Sequence, residues 1–328
     1  MPSFVRLFLA VFLLQSCTTY EPGALSAELS TETKGRVFFE TLDIYDFPDF
    51  AASPQTRTIH GDLTVPDGTL RGAVILSHGS GGPGNLHRRW ARWLNEQGIA
   101  TFLLDHFSPR NVGSTIRDQI RITEQGMMAD VIAAQRLLAT HPAIPADRIG
   151  HMGWSKGGST GVLAAIERFG AFAGQDQPLA FIAAFYPFCG LDMSGEALAA
   201  PLLVMIGDQD DWTPPGPCVT AVKALNSPAI PAEVEVYPGA VHGFDSTSQG
   251  YEDPSAVTVR DVSAKCLLRT AGDGTTRTLD GKNDVATLSS RIAYLRACGV
   301  RGVKYGGNAS ARAASQARVK AWIDLYFP

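Results

Sequence analysis

The stretch Arg148-Ile149-Gly150-His151-Met152-Gly153-Trp154-Ser155-Lys156-Gly157-Gly158 constrains this chain more than any other. A short apolar run leads into a Gly-x-Ser-x-Gly turn, which lifts a serine hydroxyl above the end of a parallel strand on a bend too sharp for side chains two residues to either side. Gly153 and Gly157 remove those collisions. The spacing predicts a helix over Ser159 to Arg168, and its free N–H groups point back at the turn, an end that favours negative charge. An ordinary tight turn leaves the same pentapeptide, so the rest of the chain has to decide.

Around this turn the sequence repeats one rhythm. Gly72 to Ser77, Ile99 to Asp105, Leu179 to Tyr186 and Pro201 to Ile206 are continuous apolar runs, as in strands buried on both faces. Between and after them come helical patterns at Leu86–Gln97, Thr123–Thr140 and Pro217–Leu225, then a further strand at Ala232–Tyr237. Thr56 to Pro66 alternates like a strand with one solvated face. This order predicts an α/β fold, a mostly parallel central sheet with helices on both faces. A closing helix is expected over Ala309–Tyr326, with Ala314, Val319, Trp322, Ile323 and Tyr326 on its packed face. Residues 245 to 304 break the rhythm, being polar in their middle, and read as an insertion beside the site within one domain over residues 36–328.

At 45% apolar and 18% charged residues the chain is globular, and a net charge of −4 without a Lys/Arg block argues against a nucleic-acid partner. Phe4 to Leu14 is an apolar run too short to span a bilayer and fits an export signal over residues 1–16. Leu14-Gln15-Ser16-Cys17 resembles a lipobox, with Gln15 in place of the usual small residue; lipidated Cys17 would anchor the protein to a membrane in the periplasm or outer cell envelope. Residues 17–35 read as a flexible tether. Cys189, Cys218, Cys266 and Cys298 then remain and allow three pairings. Cys189 with Cys218 and Cys266 with Cys298 is favoured because each pair falls within one segment, and four buried thiols is the alternative.

Two further segments stand where strands should end. Gly207-Asp208-Gln209-Asp210-Asp211-Trp212-Thr213-Pro214 follows one strand, and Pro238-Gly239-Ala240-Val241-His242-Gly243-Phe244-Asp245 follows the next. The order serine, acid, histidine is that of serine hydrolases built on an α/β sheet, where loops at the strands' carboxyl ends converge. In that chemistry His242 takes the Ser155 proton and returns it to the leaving group, while a carboxylate fixes the imidazole tautomer. Asp210 is the choice; Asp208 suits the turn and Asp211 solvent or a neighbouring loop. The oxyanion would meet the backbone N–H groups of Ser80 and Lys156, with Gly81-Gly82 allowing close approach. A phosphate loop does not fit, since no Gly-Lys-Ser/Thr follows. Trp154, Trp212 and Phe107 are candidate pocket walls by position, and no metal or organic cofactor is implied.

Gly153-Trp154-Ser155-Lys156-Gly157-Gly158, the Gly-x-x-Asp-x-x-Thr-Pro of Gly207 to Pro214, and Gly239-Ala240-Val241-His242-Gly243-Phe244 together resemble the dienelactone hydrolase family of α/β-hydrolases. The similarity covers about residues 55 to 245 and the final helix. It implies the α/β-hydrolase fold, with Asp210 and His242 at the family's acid and base positions. Dienelactone hydrolases proper carry a cysteine nucleophile and a glutamate near the oxyanion loop, where this chain has Ser155 and Gly79. The resemblance therefore implies an ester or lactone hydrolase working through an acyl-Ser155 intermediate, and not dienelactone as substrate. The competing expectations are a serine peptidase or an acyltransferase on the same three residues, or a non-catalytic envelope protein on a hydrolase fold.

Overall fold

The computed structural model describes residues 20–52 and 54–328. The expected export signal and Cys17 lie outside the described residues. The strands β1 (Gly35–Leu42), β2 (Thr56–Thr64), β3 (Gly72–Ser77), β4 (Ile99–Asp105), β5 (Ile149–Trp154), β6 (Ile182–Phe185), β7 (Leu202–Gly207) and β8 (Ala232–Tyr237) form one eight-stranded sheet in the order β1-β2-β4-β3-β5-β6-β7-β8. β1 pairs antiparallel with β2 and β2 antiparallel with β4; all other neighbours are parallel. Every residue of β3, β5, β6 and β7 is buried, which is why these strands read as unbroken apolar runs. β8 is an edge strand whose outward Glu233 and Glu235 are both paired with Arg318, a charged edge that resists further strand addition.

The helices α1 (Asn85–Glu96), α2 (Glu124–Leu138), α3 (Lys156–Ala164), α4 (Glu167–Phe172), α5 (Pro215–Leu225), α6 (Leu288–Cys298) and α7 (Ala309–Tyr326) complete the fold with four short strands, β9 (Tyr251–Val259), β10 (Leu268–Thr270), β11 (Thr276–Thr278) and β12 (Gly299–Tyr305). From β3 the chain runs to β4 on one side, then crosses to β5 on the other. The strand order reverses between β3 and β5, and their carboxyl-end loops diverge there to leave a crevice, the place where open α/β sheets bind ligands.

The structure corrects three expectations. The helix expected from Ser159 to Arg168 starts at Lys156 and is two helices, because Ile166 is extended and bridges Leu198. Gly157 and Gly158 hide its start from the sequence, since glycine reads as loop; here a Cβ on Gly157 would stand 2.1 Å from the Ser77 carbonyl oxygen. In α7, Ala314 is exposed and the packed stripe runs through Ala311, Ser315, Val319, Trp322 and Ile323, a displacement of one residue at the helix start. The expected tether is docked where it is described: Leu29 is buried in the core, the Ser26 N–H donates to the Phe38 carbonyl at 2.8 Å, and Tyr20 stacks on His60. A few apolar anchors fix a segment whose average composition is polar.

β9 to β12 lie outside the central sheet. β9 pairs with β12, β10 with β11, and Val259, Cys266, Val285, Tyr294 and Cys298 form a small core of their own. Cys189 is bonded to Cys218 and Cys266 to Cys298, the favoured pairing. Two disulfides suggest an exported protein. Among the described residues no helix is long and apolar enough to cross a membrane. The 32-residue separation closed by Cys266–Cys298 leads to a prediction: replacing both cysteines by serine removes about 3 to 4 kcal/mol by loop-closure entropy. Denaturant unfolding followed by circular dichroism reads this as a lower midpoint; an unchanged midpoint contradicts it.

Candidate active site

Ser155 sits at φ 53° and ψ −116°, a strained conformation on the turn between β5 and α3. The turn closes only because its flanks lack side chains: a Cβ on Gly153 would stand 2.1 Å from the Gly157 carbonyl oxygen. The Ser155 N–H donates to the Phe185 carbonyl at 2.8 Å, which locks the turn to the end of β6.

The loops after β7 and β8 meet the same point. A Cβ on Gly207 would stand 2.0 Å from the Ala240 carbonyl oxygen, so glycine lets the two loops touch. Asp208 Oδ1 accepts from the Gly239 N–H at 2.7 Å and holds them together. Asp211 Oδ1 accepts from the Lys304 N–H at 2.7 Å, in the segment after α6. Asp210 is the acid that turns inward. Its Oδ1 accepts from the Trp212 and Thr213 N–H groups at 3.0 and 2.8 Å, leaving Oδ2 to accept from His242 Nδ1–H at 2.9 Å. His242 Nε2 then lies 3.0 Å from Ser155 Oγ. Asp210 and His242 are buried, so the row is shielded from water along most of its length.

Ser80 and Lys156 lie beside Ser155. Lys156 is the first residue of α3, so its N–H has no carbonyl one turn back. Among the described residues the Ser80 N–H also has no backbone acceptor. A Cβ on Gly79 would stand 3.1 Å from Ser155 Cβ, a measure of how closely this loop passes the hydroxyl. The Lys156 side chain turns away: its ammonium donates to the Gln119 and Ile122 carbonyls and to Glu124 Oε1 at 2.8 Å. Burial would raise the Glu124 carboxyl, but the ammonium outweighs it and holds it below its ordinary range.

The loop carrying Ser80 rests on a buried polar chain. Asp130, paired with Arg110, accepts from His106 Nδ1–H at 2.7 Å, so His106 Nε2 is left to accept from the Ser77 hydroxyl at 3.0 Å. Ser77 Oγ in turn accepts from His151 Nε2–H at 2.9 Å. The His106 backbone N–H donates to His78 Nε2, which leaves Nδ1–H of His78 to donate to the Gly79 carbonyl at 2.7 Å. Burial lowers the His78 imidazole well below its ordinary range and pushes His151 down to about 3. Ser77, His106 and Asp130 thus make a second serine-histidine-carboxylate row, but all three are fully buried and no substrate can reach them.

A cleft of about 120 Å³ opens onto Ser155. Its floor is Ser80, Ser155 and Lys156, and much of its roof comes from the segment after β8, including Val257, Leu268, Val285 and Leu295. Of the three aromatic walls expected, Trp212 lines the cleft, with its indole N–H on the Val257 carbonyl. Trp154 and Phe107 do not. Trp154 ends a strand buried on both faces and stacks on Phe185, while Phe107 packs on His78, Ile122 and Met127. Adjacency to Ser155 in sequence puts Trp154 on the opposite side of the backbone, since side chains alternate along a strand. Among the residues missed by sequence reasoning, Thr213 and Tyr186 touch the row and Arg291 lines the cleft, while Asp245 stands behind the row, bonded to Tyr186. Thr213 and Asp245 stand inside the two loop motifs, and that proximity was their one signal. Among the described residues no cluster of His, Cys, Asp or Glu is arranged to hold a metal ion.

Residues 59–270 match the family model described as the dienelactone hydrolase family. Among curated proteins, the chain is 26% identical over 217 residues to a protein of Bradyrhizobium sp. described as a probable 2-oxo-3-(5-oxofuran-2-ylidene)propanoate lactonase, covering 61% of this chain and 83% of that one. It is 28% identical over 184 residues to an uncharacterized protein of Mycobacterium tuberculosis, covering 52% of this chain and 62% of that one. Similar solved structures include a dienelactone hydrolase from Anabaena variabilis, with 22% identity, a TM-score of 0.45, and coverage of 56% of this chain and 82% of that one. Another is the butyrate-bound esterase 2 of Thermogutta terrifontis, with 16% identity, a TM-score of 0.43, and coverage of 57% and 80%. With its matched span holding the Ser155 turn and both loops that meet it, the chain belongs to the dienelactone hydrolase family.

Proposed function

We propose that this protein is a serine hydrolase that cleaves a carboxylic ester or lactone, with Ser155 as nucleophile, His242 as general base and acid, and Asp210 as the carboxylate that orients it. The observation carrying this reading is the unbroken row from Asp210 Oδ2 through the imidazole to Ser155 Oγ, with contacts of 2.9 and 3.0 Å. As Ser155 Oγ attacks the substrate carbonyl, its proton passes to His242 Nε2. The tetrahedral oxygen takes its negative charge toward the Ser80 and Lys156 N–H groups. Collapse expels the alcohol, which leaves with the proton from His242, and the acyl group stays on Ser155. Water then repeats the sequence: it gives its proton to His242, attacks the acyl carbon, and releases the acid as His242 returns the proton to Ser155. For a lactone the expelled alcohol is part of the same molecule. Removing one of the two N–H donors would cost about 3 to 4 kcal/mol in the transition state.

Export through residues 1–16, a lipid anchor on Cys17, and a single hydrolase domain from residue 36 with an insertion at about 245–304 belong to the same reading. The favoured pairing of four cysteines supports the export half of it. The test is a p-nitrophenyl acyl-ester series from acetate to octanoate with burst kinetics; peptide amides turned over faster than esters would overturn the assignment in favour of a peptidase.

The roof of the cleft supports a prediction about acyl length. Leu295 is part-buried on α6 and faces the cleft. Leu295→Trp is expected to lower octanoate turnover about tenfold while leaving acetate within about twofold, since one pocket side chain discriminates on this scale. Equal effects on both esters would show that the acyl chain lies elsewhere.

A further inference from the structure

Asp245 is fully buried three residues after His242, and its carboxylate has three donors. Trp90 and Trp154 give indole N–H bonds to Oδ2 at 2.8 and 2.9 Å, and the Tyr186 hydroxyl donates to Oδ1 at 2.8 Å. Arg89 reaches only the Asp245 carbonyl oxygen, so among the described residues the carboxylate has no basic partner in contact. Burial pushes this carboxyl up from its ordinary range. A buried carboxylate held by neutral donors alone costs stability relative to an apolar side chain of the same volume. Stability is therefore not what it contributes.

Its contacts point elsewhere. Trp154 is the residue before Ser155, so one indole bond fixes the strand end that carries the nucleophile. Asp245 itself fixes the loop that carries His242. Tyr186 packs its ring against the His242 imidazole, with centroids 4.5 Å apart. Its carbonyl accepts from Thr213 Oγ1 at 3.1 Å, and the same hydroxyl lies 3.0 Å from Asp210 Oδ2. Tyr186 adopts φ 38°, a strained conformation that these contacts hold in place. Resting on the roles assigned above to Ser155, His242 and Asp210, we propose that Asp245 is a positioning residue for hydrolysis: one buried carboxylate to which the segments bearing nucleophile, base and acid are all tied.

The test is Asp245→Asn in the full chain. Indoles can only donate, so the amide oxygen must keep both tryptophan bonds and the amide nitrogen must face Tyr186, whose hydroxyl can turn to accept. The fold and the indole ¹H–¹⁵N signals of Trp90 and Trp154 should persist. On p-nitrophenyl butyrate kcat is expected to fall about 10- to 100-fold, with KM within about threefold, since small misplacements of reacting groups act on this scale. The rate of phosphonylation by a fluorophosphonate should fall by the same factor. Tyr186→Phe removes one tie and should cost about tenfold, and adding it to Asp245→Asn should cost nothing more, as in one coupled unit. A folded Asp245→Asn protein with kcat within about twofold of wild type would overturn the proposal. Should that variant fail to fold, Tyr186→Phe decides, and wild-type kcat in it overturns the proposal equally. Ser155→Ala turning over ester as fast as wild type would instead sink the hydrolase reading on which this one rests.

Discussion

Ser155→Ala is expected to lower turnover of p-nitrophenyl butyrate by at least about a thousandfold, the scale on which loss of a serine nucleophile acts. Alanine keeps the Cβ and differs only in the oxygen, and among the described residues that oxygen's one side-chain partner is His242 Nε2. The thermal midpoint should therefore barely move. What remains would be slow attack by water assisted by His242, with the Ser80 and Lys156 N–H groups still available to the oxyanion. The burst phase, which reports a covalent acyl intermediate, should vanish, as should labelling by a fluorophosphonate. Ser77→Ala is the informative companion. Ser77 also faces a histidine paired to a carboxylate, yet all three groups are sealed in the core. Labelling should survive in Ser77→Ala and disappear in Ser155→Ala. The reverse would move the nucleophile to the wrong serine.

The contrast between these two rows bears on how much of the site could be read from the sequence. The meeting of Ser155, Asp210 and His242 was legible because each stands just past a strand expected from the sequence, and parallel strands deliver their carboxyl-end loops to one edge. Choosing Asp210 over Asp208 and Asp211 needed more than spacing. In the structure the choice follows from the Trp212 and Thr213 N–H groups, which take one carboxylate oxygen and aim the other at His242. The strands buried on both faces were legible to within a residue or two at β3 and β4, because burial on both faces leaves no polar residue to blur the run. The start of α3 was not, since the glycines that let it pack against β3 are poor helix formers.

The roof was the least legible part. β9 pairs with β12 some forty residues later, and a short polar-rich strand has no periodic signature until its partner is known. Arg291, Tyr294 and Leu295 reach the cleft from α6, which lies beyond the span matched by the family model. Asp245 was hidden for a different reason. Composition treats it as one more loop carboxylate, and only the folded chain brings two indoles and a phenol onto it. The same limit misassigned Trp154 and Phe107, where the direction of a side chain, and not its distance along the chain, decides between wall and core.

Asp210→Asn should cost nearly as much as loss of the nucleophile, about ten-thousandfold in kcat, as happens when a triad carboxylate becomes an amide. Here the geometry forces the outcome. Asp210 Oδ1 accepts from two backbone N–H groups, at 3.0 and 2.8 Å, and an amide nitrogen cannot accept from either. The asparagine must therefore turn its oxygen to the backbone and its NH₂ toward His242 and Thr213. An NH₂ facing Nδ1 requires that nitrogen to accept, so the imidazole carries its proton on Nε2. That proton points at Ser155 Oγ, 3.0 Å away, and the base can no longer take the serine's own. Substrate contacts are untouched, so KM should hold while kcat collapses. Raising the pH should restore part of the rate, because deprotonation of the serine no longer has to pass through the histidine. Asp208→Asn and Asp211→Asn serve as controls: their carboxylates bond the Gly239 and Lys304 N–H groups, and a side-chain amide oxygen does the same. Both should stay within about threefold of wild type. If Asp211→Asn instead lost about ten-thousandfold, the acid would belong one residue further on, and the orientation imposed by the Trp212 and Thr213 N–H groups would have been misread.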